Sequence, residues 1–345
     1  MAPPSALQQA VCIVRYPQGM PRTDDFALSE IAMPAVAEGE LLLQVIYLSI
    51  DPYLRALLGA RYLSARPPVG AMVPGSGIGV VIESRDSGFT VGDHVVAECG
   101  WREFACVAAG SARKIDPAQA PISTALGVLG IPGLTAWSGL RTIGQPKPGE
   151  TVLVSTAAGA VGSLACQLAE RAAARVVGIA GSADKCALAV AEFGCTACVN
   201  YKEPDFEDQL RAACAGGIDV YFDNVGGRVL EIALSLLKPR ARVILCGLID
   251  QYNAAERPPG PNLGPVIGAR ATLTGLVVYD HLERYPQLIE EVAPLLRAGK
   301  IRWREDVRRG LGAAPQAFVD LMHGANSGKV LVRVSGDAIG GRPDW

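Results

Sequence analysis

Over roughly the first 125 residues the apolar positions come in short runs, such as 41–46 and 80–82. Gly/Pro clusters such as Arg66-Pro67-Pro68 and Pro74-Gly75-Ser76-Gly77 separate them. This pattern predicts short strands joined by turns, an all-β, barrel-like unit. After Pro146-Lys147-Pro148-Gly149-Glu150 the texture changes to β-branched runs alternating with helix-length amphipathic stretches, as a parallel α/β sheet requires. Strands are predicted at 151–155, 175–180, 197–200, 219–223, 242–247 and 272–278, a number and order that suit a six-stranded doubly wound sheet. A last strand-like run, 329–334, follows an Ala- and Leu-rich helical stretch and suits pairing back onto the N-terminal unit. Pro258-Pro259-Gly260-Pro261 predicts a stiff, extended loop, because proline fixes φ and lacks a donor.

Composition narrows the partners. Half of the 345 residues are hydrophobic and 19% are charged, which excludes disorder and suits about two globular domains. With 32 basic and 34 acidic residues and no dense Lys/Arg block, nothing marks a nucleic-acid or anionic-membrane surface. The apolar windows 117–140 and 151–169 are broken by prolines or a Gly turn and read as buried soluble structure rather than membrane spans. The nine cysteines are scattered, and no signal peptide pattern precedes residue 19, so a reducing cytosol is expected.

The strand at 151–155 runs into Thr156-Ala157-Ala158-Gly159-Ala160-Val161-Gly162 and then a helical stretch. Such a strand, tight turn and helix brings backbone amides and a positive helix end to a phosphate. Gly159 and Gly162 take the second and third glycine places of the dinucleotide fingerprint, while Ala157 stands in the first. Small-residue helix packing is the alternative explanation. About twenty residues on, where NAD enzymes carry an acid, the chain reads Gly181-Ser182 followed by Lys185. That leaves room for a 2′-phosphate and offers it a counter-charge, with Tyr201 on the far side, so NADP(H) is expected over NAD(H). An ordinary solvated helix lysine is the alternative for Lys185, and Asp184 beside it argues against too simple an electrostatic reading. Asn224, after the fourth strand, could hydrogen-bond a ribose or carboxamide, or simply cap its own turn. The loop after the fifth strand, with Cys246, Gly247 and Ile249, should flank the nicotinamide half.

Together with these, Asp51-Pro52-Tyr53-Leu54-Arg55, Gly133-Leu134-Thr135-Ala136, Tyr221-Phe222-Asp223-Asn224-Val225-Gly226-Gly227, Gln251-Tyr252-Asn253 and Asn326-Ser327-Gly328-Lys329 carry a resemblance. The chain resembles the zinc-independent medium-chain dehydrogenase/reductases, within them the prostaglandin reductase, alkenal double-bond reductase and curcumin reductase group. The resemblance implies a GroES-like β-barrel catalytic domain, 1–127 with 306–345 returning to it, and an NADP-binding Rossmann domain, 128–305, with the active site in the cleft between them. It further implies a homodimer and the reduction of a hydrophobic enone or enal. Lys185 and Tyr201 would hold the 2′-phosphate and Gly159, Ala160, Val161 and Gly162 the pyrophosphate. Thr135, Gly181, Ser182, Asn224, Cys246, Gly247, Ile249, Tyr252, Val277 and Asn326 would contact the rest of the cofactor.

One departure matters. Relatives often place a substrate-facing tyrosine eleven residues before Tyr279, and here that place is Gly268. Tyr53, Tyr62 and Tyr252 are then the candidates to donate to a developing oxyanion. No zinc ligand set is expected, since Ser49-Ile50-Asp51-Pro52 and Gly75-Ser76-Gly77 stand where zinc relatives carry Cys and His. Cys195-Thr196-Ala197-Cys198 reads as core packing, and no Ser–His–Asp signature exists. An NADPH:quinone reductase and a non-catalytic NADPH-binding protein are the competing readings.

Overall fold

The computed structural model describes residues 6–60, 63–256 and 258–336. In chain order, the first part holds β1 (Leu7–Ile13), β2 (Phe26–Ala32), β3 (Glu40–Ser49), α1 (Tyr53–Leu58), β4 (Ser76–Ser84), β5 (His94–Glu98), β6 (Phe104–Ala108) and β7 (Arg113–Ile115). There follow α2 (Ile131–Ser138), β8 (Thr151–Ser155), α3 (Gly162–Arg171), β9 (Arg175–Ala180), α4 (Ala183–Glu192), β10 (Ala197–Asn200), α5 (Phe206–Ala213), β11 (Ile218–Asp223), α6 (Gly227–Leu234) and β12 (Leu237–Leu245). The rest comprises α7 (Ile249–Tyr252), α8 (Gly264–Ala269), β13 (Thr272–Gly275), α9 (Tyr285–Arg297), β14 (Glu305–Arg309), α10 (Ala314–Met322) and β15 (Lys329–Arg333). These divide into two compact units, Met1–Leu126 with Glu305–Trp345, and Gly127–Arg304.

In the first unit, β1 and β2 form a hairpin-like pair, and a larger sheet runs β14-β15-β3-β4-β5-β7, with β6 also on β3. Its core includes a ring cluster of Phe26, Trp101 and Phe318, with centroids 5.9 to 6.2 Å apart. Two of the residues that mark the resemblance turn out to be structural ties. The buried Arg55 guanidinium donates to the carbonyl of Gly19 at 2.9 and 3.0 Å, and Lys329, 4% exposed, donates from Nζ to Ile50 O at 3.0 Å and Asp51 Oδ1 at 2.5 Å. A buried ammonium without a partner is costly, so Asp51 and Lys329 require each other.

The second unit is built on a parallel sheet in the order β10-β9-β8-β11-β12-β13. Every residue of β8 is buried, as expected of a central strand covered by helices on both faces. Leu153, Val177, Tyr221 and Val243 from four neighbouring strands share one core with Phe206, Leu210, Leu230 and Leu234 from the helices. Gly178 in β9 leaves room for its neighbours: a Cβ there would lie 2.8 Å from Ala157 Cβ and 3.1 Å from the sulfurs of Cys195 and Cys198. Those two thiols are therefore packed into the layer beneath the glycine-rich turn.

Two strands differ most from expectation. The fifth starts earlier and ends at Leu245: the Cys246 amide makes the last ladder bond, to Asp223 O at 2.8 Å, and the Gly247 amide turns to the same carbonyl at 3.2 Å. The sixth ends at Gly275; Leu276 makes one more bond, to Leu245 O, and the chain then coils into a 3₁₀ turn over Val278–Arg284. No helix among the described residues is long and apolar enough to cross a membrane.

The turn into α3 has the least tolerance for extra atoms. Thr156 sits at φ +55°, and a Cβ on Gly162 would lie 2.1 Å from its carbonyl oxygen. Gly162→Ala should force the turn apart and lower the unfolding free energy by about 2–3 kcal/mol, measured by urea denaturation.

Candidate cofactor site

The carboxyl ends of β8 and β11 adjoin where the strand order reverses, which is where open α/β sheets hold ligands. A buried network stitches these two ends together. Ser155 Oγ donates to Asp223 Oδ1 at 3.2 Å and accepts from the Asn224 amide at 2.8 Å, while Asn224 Nδ2 donates to Ser155 O at 2.7 Å. Asp223 also receives the Tyr221 hydroxyl at 2.6 Å and the amides of Val225 and Gly226 at 3.0 and 3.1 Å. Burial raises the Asp223 pKa despite these donors. The Asn224 side chain thus spends one of its amide hydrogens on the fold.

Beside this stitch, Gly159, Ala160, Val161 and Gly162 form the turn into α3. A Cβ on Gly159 would lie 2.7 Å from Thr156 Cγ2, so both glycines are needed for a backbone this tight. The amides of Ala160 and Val161 have no protein partner among the described residues. They lie at the positive end of a ten-residue helix, as an anionic bridge between two nucleosides would require. Thr135 lies within α2, its hydroxyl donating to Ile131 O at 2.8 Å.

A second group gathers at the ends of β9 and β10. Ser182 caps α4, its hydroxyl accepting the Lys185 amide at 3.2 Å. Gly181 lies beneath Tyr201: a Cβ there would be 2.9 Å from the ring. Burial, and then the neighbouring charge of Lys202, lower the Lys185 pKa, and Lys202 Nζ stands 5.9 Å from the Tyr201 ring centroid. Two lysines close enough to repel each other, with a half-exposed phenol between strand ends, form a cationic corner suited to a dianionic phosphate. Lys202 was not among the expected residues, although it follows Tyr201 directly; its proximity to Lys185 depends on strand pairing and is not visible in the spacing.

A third group follows β12. The Tyr252 hydroxyl lies 3.5 Å from the Leu248 amide and 3.6 Å from where a Gly247 Cβ would stand, and Gly247 in turn approaches Asn224 O. Burial raises the Tyr252 pKa, which keeps the phenol protonated. Cys246 is half-buried, with its thiol pushed up to about 12 by burial and by Asp223. Ile249 opens α7, and Asp250 comes close enough to Gly227 that a Cβ there would meet Oδ2 at 2.1 Å. Asp250 also contributes to raising the Tyr201 pKa, second to burial. Val277 lies just beyond β13, half-buried.

In the other unit, Tyr53 opens α1, half-buried, and Asn326 is buried with Nδ2 donating to Gly328 O at 2.8 Å. Tyr62 lies outside the described residues. Gly268 lies on the exposed part of α8, and a side chain there would meet nothing within 4 Å.

Comparison with known proteins accords with this arrangement. Residues 9–115 match the family described as the N-terminal domain of oxidoreductase and residues 160–294 that described as zinc-binding dehydrogenase. An NADPH-dependent curcumin reductase of Escherichia coli is 40% identical over 330 residues, covering 93% of this chain and 95% of that protein. The chain belongs to the zinc-independent medium-chain dehydrogenase/reductases. In this family it is also similar to a 2-alkenal reductase (NADP(+)-dependent) of Nicotiana tabacum, 38% identical with 94% of this chain and 97% of that protein covered. A crystal structure of CurA from Vibrio vulnificus in complex with NADPH superposes with a TM-score of 0.90 at 38% identity, covering 95% of this chain and 99% of that one. The zinc-binding name belongs to the wider family; among the described residues no group of three or more His, Cys, Asp and Glu side chains is placed to hold a metal.

In this medium-chain reductase the Asp223 network should govern the stability of the sheet. Asp223→Ala should lower the unfolding free energy by about 3 kcal/mol, while Asp223→Asn, which keeps one acceptor, should lose less; paired denaturant titrations measure both.

Proposed function

We propose that the protein reduces the carbon–carbon double bond of α,β-unsaturated ketones or aldehydes with NADPH. It is an NADP-dependent oxidoreductase of the curcumin, alkenal and prostaglandin reductase group. The observation that carries the choice of NADP(H) is the corner formed by Gly181, Ser182, Lys185, Tyr201 and Lys202, which holds two ammonium groups and no acid in the fingerprint position. The enone reading rests on the group of relatives named for such substrates.

When bound, the cofactor supplies a hydride from its nicotinamide. The chain's own part is to bind and orient. The amides of Ala160 and Val161, with Gly159 and Gly162 keeping the turn tight, would hold the pyrophosphate. Lys185, Lys202 and Tyr201 would hold the 2′-phosphate. Asn224, Cys246, Gly247, Ile249 and Val277 would border the nicotinamide half, with Thr135 and Asn326 as further contacts. Tyr252 and Tyr53 are proposed as phenols that donate to the substrate oxygen as negative charge develops there, since hydride addition at the β-carbon moves an electron pair onto the carbonyl.

Oxidation of NADPH followed at 340 nm with a 2-alkenal, a cyclic enone, a diarylheptanoid enone and a quinone tests the reaction. Turnover of the enones above the quinone is expected; turnover of the quinone alone would overturn the reading. Lys185→Ala should raise KM for NADPH by about 10- to 100-fold and leave that for NADH nearly unchanged, the cost of one charge-assisted contact. Because burial, and then Lys202, lower the Lys185 pKa, its charge is lost earlier than an ordinary lysine's as pH rises. NADPH affinity should therefore weaken in the alkaline range, and Lys185→Arg should remove that dependence; fluorescence titration of bound NADPH between pH 7 and 10 measures it.

A further inference from the structure

Helix α4 begins at the cationic corner, and its other end borders a second feature of the same unit. A cavity of about 280 Å³ is lined by Glu192, the last residue of α4, and by Gly299, Ile301, Arg302, Trp303 and Arg304, which follow α9. At 1.5 Å per residue, the ten residues of α4 set Glu192 about 15 Å from the Ser182 cap, so the cavity is separate from the candidate dinucleotide site. Its backbone is fixed by the fold itself. The buried Gln167 of α3 donates from Nε2 to Arg302 O at 2.8 Å and accepts the Arg302 amide on Oε1 at 2.7 Å. Around the turn at Gly299, whose φ is +63°, the amides of Lys300 and Ile301 return to Leu295 O at 2.8 and 3.2 Å.

The charges in this lining are unequal. Arg304 grips Glu192 with two parallel bonds, Nε donating to Oε2 at 2.9 Å and Nη2 to Oε1, so these two neutralise each other. The Arg302 guanidinium is exposed and has no hydrogen-bond or ion-pair partner among the described residues. It stands close enough to Glu192 to add to the lowering of that carboxyl's pKa, which the bond from Arg304 dominates. Beside this uncommitted cation, the half-buried Trp303 and the buried Ile301 contribute apolar surface.

We propose that this cavity binds a small aromatic monocarboxylate, its carboxylate on the Arg302 guanidinium and its ring against Trp303 and Ile301. A lining with two cations and one anion carries one positive charge, which a monoanion balances and a phosphate dianion would overshoot. The planar guanidinium matches a carboxylate in two parallel bonds, and an indole rewards a flat apolar body. The volume lies at the lower end of small-molecule pockets, about 300 Å³, which admits a single ring and excludes a dinucleotide. Because the segment 299–304 is already held by Gln167 and Leu295, little ordering of the backbone opposes binding. No residue of the cavity takes part in the cofactor or substrate roles proposed above, so this site does not rest on the enone reading.

Benzoate is the probe. In the full chain labelled with 5-fluorotryptophan, benzoate should shift the ¹⁹F resonance that disappears in Trp303→Phe and leave those of the buried Trp101 and Trp137 in place, saturating with a Kd on the order of 1 mM. Arg302→Gln should weaken this binding by about 10-fold or more, the loss of a charge-assisted pair. NADPH binding and Tm should stay as in the wild type, because the Arg302 side chain bonds nothing among the described residues. Cyclohexanecarboxylate should bind more weakly than benzoate, and benzyl alcohol and inorganic phosphate more weakly still. The absence of a saturable shift at Trp303, or equal binding by Arg302→Gln, would overturn the site. Tighter binding of phosphate or benzyl alcohol than of benzoate would overturn the ligand class.

Discussion

The second unit depends on one buried carboxylate. Asp223 collects a phenol, a serine hydroxyl and two backbone amides in a place where water cannot reach, and its own carbonyl receives the amides of Cys246 and Gly247. Three strand ends, those of β8, β11 and β12, are thereby brought to fixed positions around a single residue. The crevice beyond them keeps its shape because satisfying this group leaves no alternative arrangement of the loops, and a half-satisfied buried carboxylate would be worse than an apolar core. Asn224 and Gly247, proposed to border the cofactor, are placed by bonds to Ser155 and Asp223.

The sheet of this unit was legible because central parallel strands are buried on both faces and write themselves as unbroken apolar runs, as 151–155 and 175–180 do. Its ends were less so. Cys246, Gly247 and the segment 276–278 are apolar enough for strands, but the ladders close with the bonds from Cys246 to Asp223 O and from Leu276 to Leu245 O, and where a ladder closes depends on partners distant in sequence that no local pattern encodes. The glycine-rich turn was readable less from its spacing, which lacks the first glycine, than from its place between a strand and a helical stretch. Lys202 was not, since its nearness to Lys185 on α4 depends on β10 lying beside β9, and neither was the tie between Asp51 and Lys329, 278 residues apart.

Several of the residues by which the family is recognised have a structural explanation. Arg55 is buried and bonded to the loop at Gly19, and Lys329 is buried and bonded to Asp51. A recurring charged residue in such a fold therefore marks a tie that holds the chain's end against its beginning as readily as it marks a ligand. The absence of a tyrosine at Gly268, by contrast, disturbs nothing around it, because that position is open to solvent.

The cap of α4 bears on how readily such a protein could change its coenzyme in evolution. Ser182 is placed by the needs of a helix, through its bond to the Lys185 amide, and aspartate caps a helix about as well as serine. A single exchange at that position would leave the fold undisturbed while placing a negative charge where a phosphate is proposed to bind. Selection acting on that position could thus explore coenzyme preference without passing through unstable intermediates.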